Sequence, residues 1–241
     1  MPMSQTIKVL SFDLDDTLWP CSPTILRAED MLYQWLAENV PAITENYDIY
    51  QLRDKRRSLF NDYPELGYDL TKLRVKSFEL LAEEFALSDD WIKPAFEIFY
   101  EARQQVTLFE DVKPVLDELK KEFRLVSLTN GNADTVKTGV AHWFDFALNS
   151  ASVGKLKSEP DIYQRVQKMT NIHAQQMVHI GDDPVHDVSG AKSAGIAAIW
   201  LNREQKPWLL DGCEPDAVIT SLHELPDLLK KSCGFFSEDQ G

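Results

Sequence analysis

An apolar run near the start of the chain ends abruptly in acidic residues. Residues 9–17 read VLSFDLDDT, so a β-type stretch leads directly into Asp13, Asp15 and Asp16, with Thr17 after them. Carboxylates at the end of a buried strand are costly unless a cation or a reaction requires them. The run therefore predicts a buried strand that carries a polar site at its carboxyl end.

The rest of the chain divides into a helical block and an alternating region. Between Pro23 and Thr107 apolar residues recur at helical spacing, and we find no convincing strand. After Asp111 strands and helices alternate, which is typical of a parallel sheet covered on both faces. The expected strands are 7–13, 124–129, 144–148, 177–180, 197–201 and 217–219; the expected helices after the block are 112–119, one following Asn132, 161–170, 185–194 and 222–229.

The first strand belongs to the later sheet, so the helical block is an insertion into an α/β domain. We predict a Rossmann-like, doubly wound parallel sheet made from residues 1–19 and 108–241, and an inserted α-helical domain of residues 20–107. The tail from Ser232 is expected to be frayed.

Composition limits the partners. The chain has 241 residues and a formal net charge of −14, which argues against a nucleic-acid backbone or an anionic membrane as partner. No apolar run approaches the ~20 residues of a membrane span, and residues 1–20 lack a basic segment followed by an apolar one. The three cysteines have no CxxC spacing. We therefore expect a soluble, cytoplasmic protein, either a monomer or a homodimer.

Polar residues of complementary type follow four predicted strands. Ligands of open α/β sheets bind at the carboxyl ends of the strands, so these residues are expected to share one site. They are Asp13 and Asp15; Thr129, Asn130 and Gly131; Lys157; and Gly181, Asp182, Asp183 and Asp187.

The residue types predict phosphate chemistry. Several carboxylate oxygens suit a hard cation such as Mg²⁺, and a hydroxyl with an ammonium suits phosphate oxygens. One carboxylate can attack phosphorus, and a second, two residues later, can protonate the leaving alcohol and then deprotonate water.

The chain resembles the haloacid dehalogenase (HAD) superfamily, in the branch with an α-helical cap inserted after the first motif. The family's motifs occur in order as Asp13-Leu14-Asp15-Asp16-Thr17, Thr129-Asn130-Gly131, Lys157, and Gly181-Asp182-Asp183-Pro184-Val185-His186-Asp187. Residues 25–29 and 129–132 make it most similar to the YigB-type phosphatases of the flavin pathway.

The resemblance implies a role for each matched residue. Asp13 would be the nucleophile and a Mg²⁺ ligand. Asp15 would be the general acid and base and would offer its backbone carbonyl to the metal, for which Asp182 would be a further ligand. Thr129, Asn130 and Lys157 would hold the phosphoryl group, with Thr17, Asp183 and Asp187 supporting these residues.

Other residues have competing interpretations. Lys155 competes with Lys157, although the spacing to Glu159-Pro160 favours Lys157; the family usually shows Lys-Pro here, whereas this chain has Lys157-Ser158. His179 is expected to be a satisfied core histidine. His186 is expected to be solvated rather than a metal ligand, and Asp16 to be a local turn residue.

The helical block would decide the substrate. Arg74 is the candidate for gripping a distal polar group, because the family often places a polar specificity residue on the corresponding helix. The other arginines available for this role are Arg27, Arg56 and Arg57. An aromatic facing the cleft could stack on a flavin-like ring, although most of the aromatics are expected to pack the core of the block. The aromatics are Tyr33, Trp35, Tyr63 and Tyr68.

We expect a Mg²⁺-dependent phosphomonoesterase for a small phosphorylated metabolite. The resemblance implies a flavin-pathway substrate, either 5-amino-6-(5-phospho-ribitylamino)uracil or FMN. Phosphatases of nucleotides, sugar phosphates or phosphoglycolate remain open, as do a phosphomutase and a catalytically silent binding protein. A 2-haloacid dehalogenase is disfavoured, because that reaction requires no metal and no acid at the position of Asp15.

Overall fold

The structure of the protein is a computed structural model that describes residues 6–231. The expectation of a frayed tail from Ser232 lies outside the described residues.

Six parallel strands form one sheet, in the order β3-β2-β1-β4-β5-β6. The chain winds from the central β1 to one edge, crosses over, and winds to the other edge, which confirms the doubly wound α/β prediction. β1 and β4 flank the point where the strand order reverses, and ligands bind there in such sheets. The strands are β1 (Val9–Phe12), β2 (Arg124–Thr129), β3 (Phe146–Asn149), β4 (Met177–Gly181), β5 (Ala197–Leu201) and β6 (Ala217–Ile219).

β1 is buried on both faces because helices cover both sides of the sheet. All four of its residues are buried. Leu10 and Phe12 pack into the apolar cluster on one face, and Val9 packs into the cluster on the other. Ser11 pairs in register with His179 of β4, so two polar side chains lie side by side within the sheet.

The helical block has its own apolar core, in which α1 packs mainly against α5. α3 and α4 begin where the side chains of Asp48 and Asp69 accept backbone N–H bonds from Gln51 and Lys72. We propose that this block is the cap domain, with the boundaries predicted above. Its α-helices are α1 (Cys21–Asn39), α2 (Pro41–Thr44), α3 (Ile49–Asp62), α4 (Leu70–Glu84) and α5 (Ile92–Arg103).

Most elements after the block match the predictions to within a few residues. The main shift at a strand start is in β3, which begins at Phe146, while Phe144 packs into the core before it. The α-helices are α6 (Val112–Leu119), α7 (Ser150–Val153), α8 (Asp161–Thr170), α9 (Gly190–Ser193) and α10 (Leu225–Lys231).

One predicted helix is wrong, and another forms with an unexpected geometry. The segment after Asn132 forms turns over 135–139, because Asp134 caps a single turn that ends at Gly139 with φ +81°. The predicted helix 185–194 is helical over 184–193, but its first part, Pro184–Ser189, is a π-helical turn, and only the short α9 that follows is α-helical. Wide turns of this kind often occur at functional sites, and this one carries Asp187 into the protein.

Within residues 6–231, no helix is long and apolar enough to cross a membrane.

Candidate active site

Asp13 lies directly after β1, at the point where the strand order reverses. Its backbone N–H donates to the carbonyl of Ile180 at 2.9 Å, which continues the pairing of β1 with β4. The residue is only 6% exposed. The sheet therefore delivers a buried carboxylate to the position where a ligand would bind.

Lys157 joins two of the predicted acids. Its side chain is 3% exposed, and its ammonium donates to Asp13 Oδ1 and, at 2.6 Å, to Asp187 Oδ1. Its backbone N–H donates to Asn130 Oδ1 at 2.9 Å, so the Asn130 side chain ties two loops together. Lys155 is exposed and pairs with Glu159 at 2.7 Å. The structure thus places Lys157 in the site and Lys155 at the surface.

Asp187 is held by several donors besides Lys157. His179 Nε2 lies 2.9 Å from its Oδ1, and the N–H of Asp183 donates to its Oδ2 at 2.9 Å. A Cβ on Gly181 would lie 2.2 Å from Asp187 Cγ, so only glycine leaves room for this carboxylate.

His179 is fully buried and satisfied, as predicted. Its Nδ1 lies 2.8 Å from Ser11 Oγ, and its Nε2 contacts Asp187 as described. Sequence reasoning missed the contact with Asp187. The signal was available, because two polar residues on adjacent buried strands must face a polar partner.

The carboxylates of Asp13, Asp182 and Asp187 converge. One oxygen of each lies within 4.8 Å of one oxygen of both others, and Thr17 Oγ1 donates to Asp182 Oδ1 at 3.1 Å. We call these three acids with Lys157 the acidic cluster. Hard divalent cations take such carboxylate oxygens as ligands, so the donor set fits a cation of this kind.

The charges of the acidic cluster are not balanced internally. Burial raises the pKa of Asp13 well above its usual range despite Lys157. Burial and the charge of Asp187 raise the pKa of Asp182 to about 7. Asp187 behaves oppositely, because Lys157 and His179 overcome its burial and hold its pKa well below the usual range. An added cation would relieve the excess of negative charge.

Thr129 and Gly131 lie at the end of β2, and Gly131 borders the Asp15 carboxylate. Thr129 is buried at the end of β2, and its hydroxyl accepts the N–H of Gly131 at 2.8 Å. A Cβ on Gly131 would lie 2.6 Å from Asp15 Oδ2 and 3.1 Å from Thr129 Oγ1. Because Gly131 has no Cβ, the Asp15 carboxylate and the Thr129 hydroxyl can both lie close to its backbone.

Asp15 is held by two residues that the motifs did not identify. Trp19 Nε1 donates to its Oδ1 at 2.8 Å, and Arg103 Nη2 donates to its Oδ2 at 2.6 Å. Asp16 adopts φ +59° in the turn between Asp15 and Trp19, and its side chain accepts the N–H of Cys21 at 2.8 Å. This is the local role expected of Asp16.

Asp183 and His186 lie in the turn that carries Asp187. Asp183 Oδ1 accepts the N–H groups of Val185 and His186, both at 2.8 Å, so Asp183 acts as a cap. His186 was expected to be solvated, but the π-helical turn half-buries it. Its Nδ1 is buried without a partner among residues 6–231.

Arg74 lies inside the helical block and makes no hydrogen bond to the acidic cluster among the described residues. Its guanidinium stacks over the Phe99 ring, 3.3 Å from the centroid. Its Nη2 lies 3.4 Å from Glu29 Oε1, and Arg53 and Arg56 donate to the same carboxylate. We call these four charged residues the arginine cluster.

The sequence is similar to a known protein family and to characterised members of it. Residues 7–195 match the family of haloacid dehalogenase-like hydrolases. The chain is 31% identical over 204 residues to 5-amino-6-(5-phospho-D-ribitylamino)uracil phosphatase YigB of Escherichia coli strain K12, covering 82% of this chain and 84% of that protein. It is 29% identical to N-acylneuraminate-9-phosphatase of Rattus norvegicus, covering 67% and 69% of the two chains.

A solved structure is also similar over nearly the whole chain. It is described as 2-haloacid dehalogenase from Pseudomonas syringae pv. Tomato DC3000, and it is 36% identical with a TM-score of 0.87. The match covers 94% of this chain and 99% of that one. The relatives therefore share one fold but carry the names of two different reactions.

Proposed function

The chain belongs to the haloacid dehalogenase-like hydrolases, and we propose that it is a Mg²⁺-dependent phosphomonoester hydrolase acting through a phospho-aspartate on Asp13. The observation that carries the proposal is the buried Asp13 carboxylate, paired with Lys157 and set among further acids where the strand order reverses. This arrangement combines a nucleophile, a cation for phosphate oxygens and a donor set for a metal.

In the first step, an oxygen of Asp13 attacks phosphorus and the bond from phosphorus to the ester oxygen breaks. Lys157 and Thr129 hold the phosphoryl oxygens, whose charge develops in the transition state. Asp15 gives its proton to the departing oxygen, so an alcohol leaves and an aspartyl phosphate remains.

In the second step, Asp15 takes a proton from water, and the water oxygen attacks phosphorus. The bond from phosphorus to the Asp13 oxygen breaks, which releases phosphate and restores the Asp13 carboxylate. Asp15 recovers the proton that it gave away, so it acts first as acid and then as base.

Asp13, Asp182 and the backbone carbonyl of Asp15 would hold the Mg²⁺ ion, supported by Asp187 and Thr17. The ion would supply positive charge to the phosphoryl oxygens when bound. Burial, with the neighbouring carboxylates as a smaller cause, raises the pKa values of Asp13 and Asp182, and a bound cation would stabilise their charged forms.

For the substrate, we propose a small phosphorylated metabolite of flavin metabolism, with 5-amino-6-(5-phospho-ribitylamino)uracil ahead of FMN. The support is the similarity to the YigB phosphatase over 82% of this chain. Arg74 would serve a distal polar group of the substrate only if the arginine cluster opens toward the cleft.

A 2-haloacid dehalogenase is the second candidate, because the similar solved structure carries that name at 36% identity. The residues favour the phosphatase. A halide ion leaves without a proton, so dehalogenation would not require Asp15 as a general acid. The acidic cluster also contains more carboxylates than a single nucleophilic attack requires.

A panel of phosphate esters with Mg²⁺ tests the proposal, with release of inorganic phosphate as the readout. We expect turnover that EDTA abolishes and the highest kcat/KM for a flavin-pathway phosphate. A parallel assay measures chloride release from 2-chloropropionate in EDTA. Chloride release without phosphate release would overturn the phosphatase, whereas phosphate release with a preference for another ester would overturn only the flavin assignment.

A further inference from the structure

Arg103 is the last residue of α5, and it reaches from the helical block into the site. It is 1% exposed, which is rare for an arginine unless its charge is compensated. Its Nη2 donates to Asp15 Oδ2 at 2.6 Å, and its Nε donates to Asn132 Oδ1 at 2.9 Å. Its Nη1 is buried with no partner within residues 6–231.

We propose that Arg103 is a positioning residue for Asp15 and couples the placement of that carboxyl to the helical block. The proposal rests on the phosphatase function above. It assigns to Arg103 a role that none of the sequence motifs contains.

The contacts of Asp15 define one orientation of its side chain. Trp19 and Arg103 donate to different oxygens of the carboxyl, and an N–H donor on each oxygen resists rotation about the side-chain bonds. Gly131 borders the same space, since a Cβ there would lie 2.6 Å from Asp15 Oδ2 and 3.0 Å from Arg103 Nη2. An acid that serves a leaving oxygen must be held within hydrogen-bond reach of it.

The geometry requires arginine rather than any cation. Nε and Nη2 lie on one edge of the planar guanidinium, and here they bridge Asp15 and Asn132. A lysine ammonium is a point charge on a flexible stem, so it can neutralise Asp15 but cannot fix both partners in one plane.

The coupling to the helical block runs through Asn132 and Gln104. Asn132 Nδ2 donates to Thr71 Oγ1 of α4 at 3.2 Å. Gln104, next to Arg103, accepts the N–H of Asp134 at 2.8 Å. Residues at the ends of α4 and α5 thus both hydrogen-bond the loop after β2. Because Arg103 belongs to α5, a shift of the block relative to the sheet would move Arg103 away from Asp15.

Leaving-group dependence tests this role. An alkyl phosphate needs a proton on its departing oxygen, whereas p-nitrophenolate leaves without one. We compare kcat/KM for the best alkyl ester of the panel with kcat/KM for p-nitrophenyl phosphate in wild type, Arg103→Met and Arg103→Lys. General acid catalysis contributes about 10²–10⁴-fold, so we expect Arg103→Met to lose about 100-fold on the alkyl ester and less than about 5-fold on the aryl ester.

Arg103→Lys should lose about 10-fold in kcat/KM on the alkyl ester and much less on the aryl ester. This variant tests the proposal if Arg103→Met does not fold. Lys137→Met is the matched control, since it removes another cation that joins the loop after β2 to α5, through Glu101, and its recorded ion pair is not with Asp15. We expect the control to change both esters by the same factor.

An equal loss on both esters for the Arg103 variants would overturn the proposal and leave Arg103 a structural residue. No loss on either ester would overturn it as well. Absence of hydrolysis by the wild type is a separate result, because it would remove the phosphatase function itself.

Discussion

The acidic cluster at the carboxyl ends of the strands and the arginine cluster inside the helical block are both buried, but their excess charges have opposite signs. In the acidic cluster, three carboxylates surround one lysine. In the arginine cluster, three guanidiniums surround one carboxylate. The two regions solve the problem of buried charge in different ways.

In the arginine cluster only part of the excess charge lies near water. The side chains of Arg53 and Arg56 are 13% and 18% exposed, whereas Arg74 is buried, and burial lowers its pKa well below the ordinary value. The three arginines hold the pKa of Glu29 below its usual range, although burial acts to raise it. This cluster therefore ties α1, α3 and α4 together through one shared carboxylate.

The excess charge of the acidic cluster is buried, and the pKa values of two of its three acids shift in the opposite direction to that of Glu29. The pKa values of Asp13 and Asp182 are raised, mainly by burial. An imbalance of this kind marks a functional site more often than a structural one. The comparison teaches that satisfied partners distinguish a structural charge cluster from one that awaits a ligand.

The largest expected effect tests the acidic cluster by removing the nucleophile proposed for it. Asp13→Asn should lower kcat by at least about 10⁴-fold, equivalent to about 5 kcal/mol, because the amide cannot form the phospho-enzyme. The measurement is Mg²⁺-dependent phosphate release. Asp16→Asn is the control, and its loss should stay below about 10-fold because Asp16 only caps the start of α1. Equal losses for the two variants would contradict the assignment of Asp13.

The next effect breaks the arginine cluster. Glu29→Gln should lower the free energy of unfolding by about 3 kcal/mol, because it leaves buried guanidiniums without their carboxylate. Urea unfolding measures it. Glu97→Gln removes an exposed carboxylate that pairs with Lys93 on α5, and it should cost less than about 1 kcal/mol. A loss for Glu29→Gln no greater than for this control would show that the cluster is not a structural tie.

A third prediction separates the clusters by their response to metal. Mg²⁺ at about 100 times its Kd should stabilise the wild type by about 2.7 kcal/mol, seen as a rise in Tm. Asp182→Asn should lose most of that rise, whereas Asp145→Asn, a surface change, should keep it. Glu29→Gln should also keep it, since the arginine cluster takes no part in binding the metal. A full response in Asp182→Asn would remove Asp182 from the ligand set.

The smallest effect is the pH dependence of the arginine cluster. The folded pKa of Glu29 is lowered from its ordinary 4.5, so the unfolded chain binds the proton first as pH falls. The stability that Glu29 supplies is present above about pH 4.5 and is lost as pH falls through the folded pKa. Urea unfolding from pH 7 to pH 3 should show the gap between wild type and Glu29→Gln closing at the acid end. A gap of constant size would contradict the shift.

Sequence alone predicted the fold and much of the site because both depend on local pattern. Residues that follow parallel strands meet at one edge of the sheet, so the order of Asp13, Thr129, Lys157 and Asp182 was enough to expect one site. The structure brings Lys157 between Asp13 and Asp187. Asp187 was also expected at this edge, but the π-helical form of the turn that carries it was not, because apolar periodicity does not distinguish the two kinds of helix.

Contacts between the helical block and the loops of the sheet were beyond sequence reasoning. Arg103 contacts Asp15 across 88 residues, and the end of a helix offers no pattern that names such a partner. The helix predicted after Asn132 failed for a related reason, since Asp134 and Gly139 end the turn locally and apolar spacing does not report caps.

The central place of β1 has a consequence for how the chain reaches its native state. Val9 pairs with Arg124 on one side and with Met177 on the other. A ribosome delivers β1 first, yet both neighbours emerge only after the whole helical block has been made. We expect the block, whose contacts are local, to fold while β1 is still unpaired. The sheet is then expected to form late and slowly. The Asp13 carboxylate, at the end of β1, would then be among the last groups to become buried, so the proposed activity would report the completion of folding.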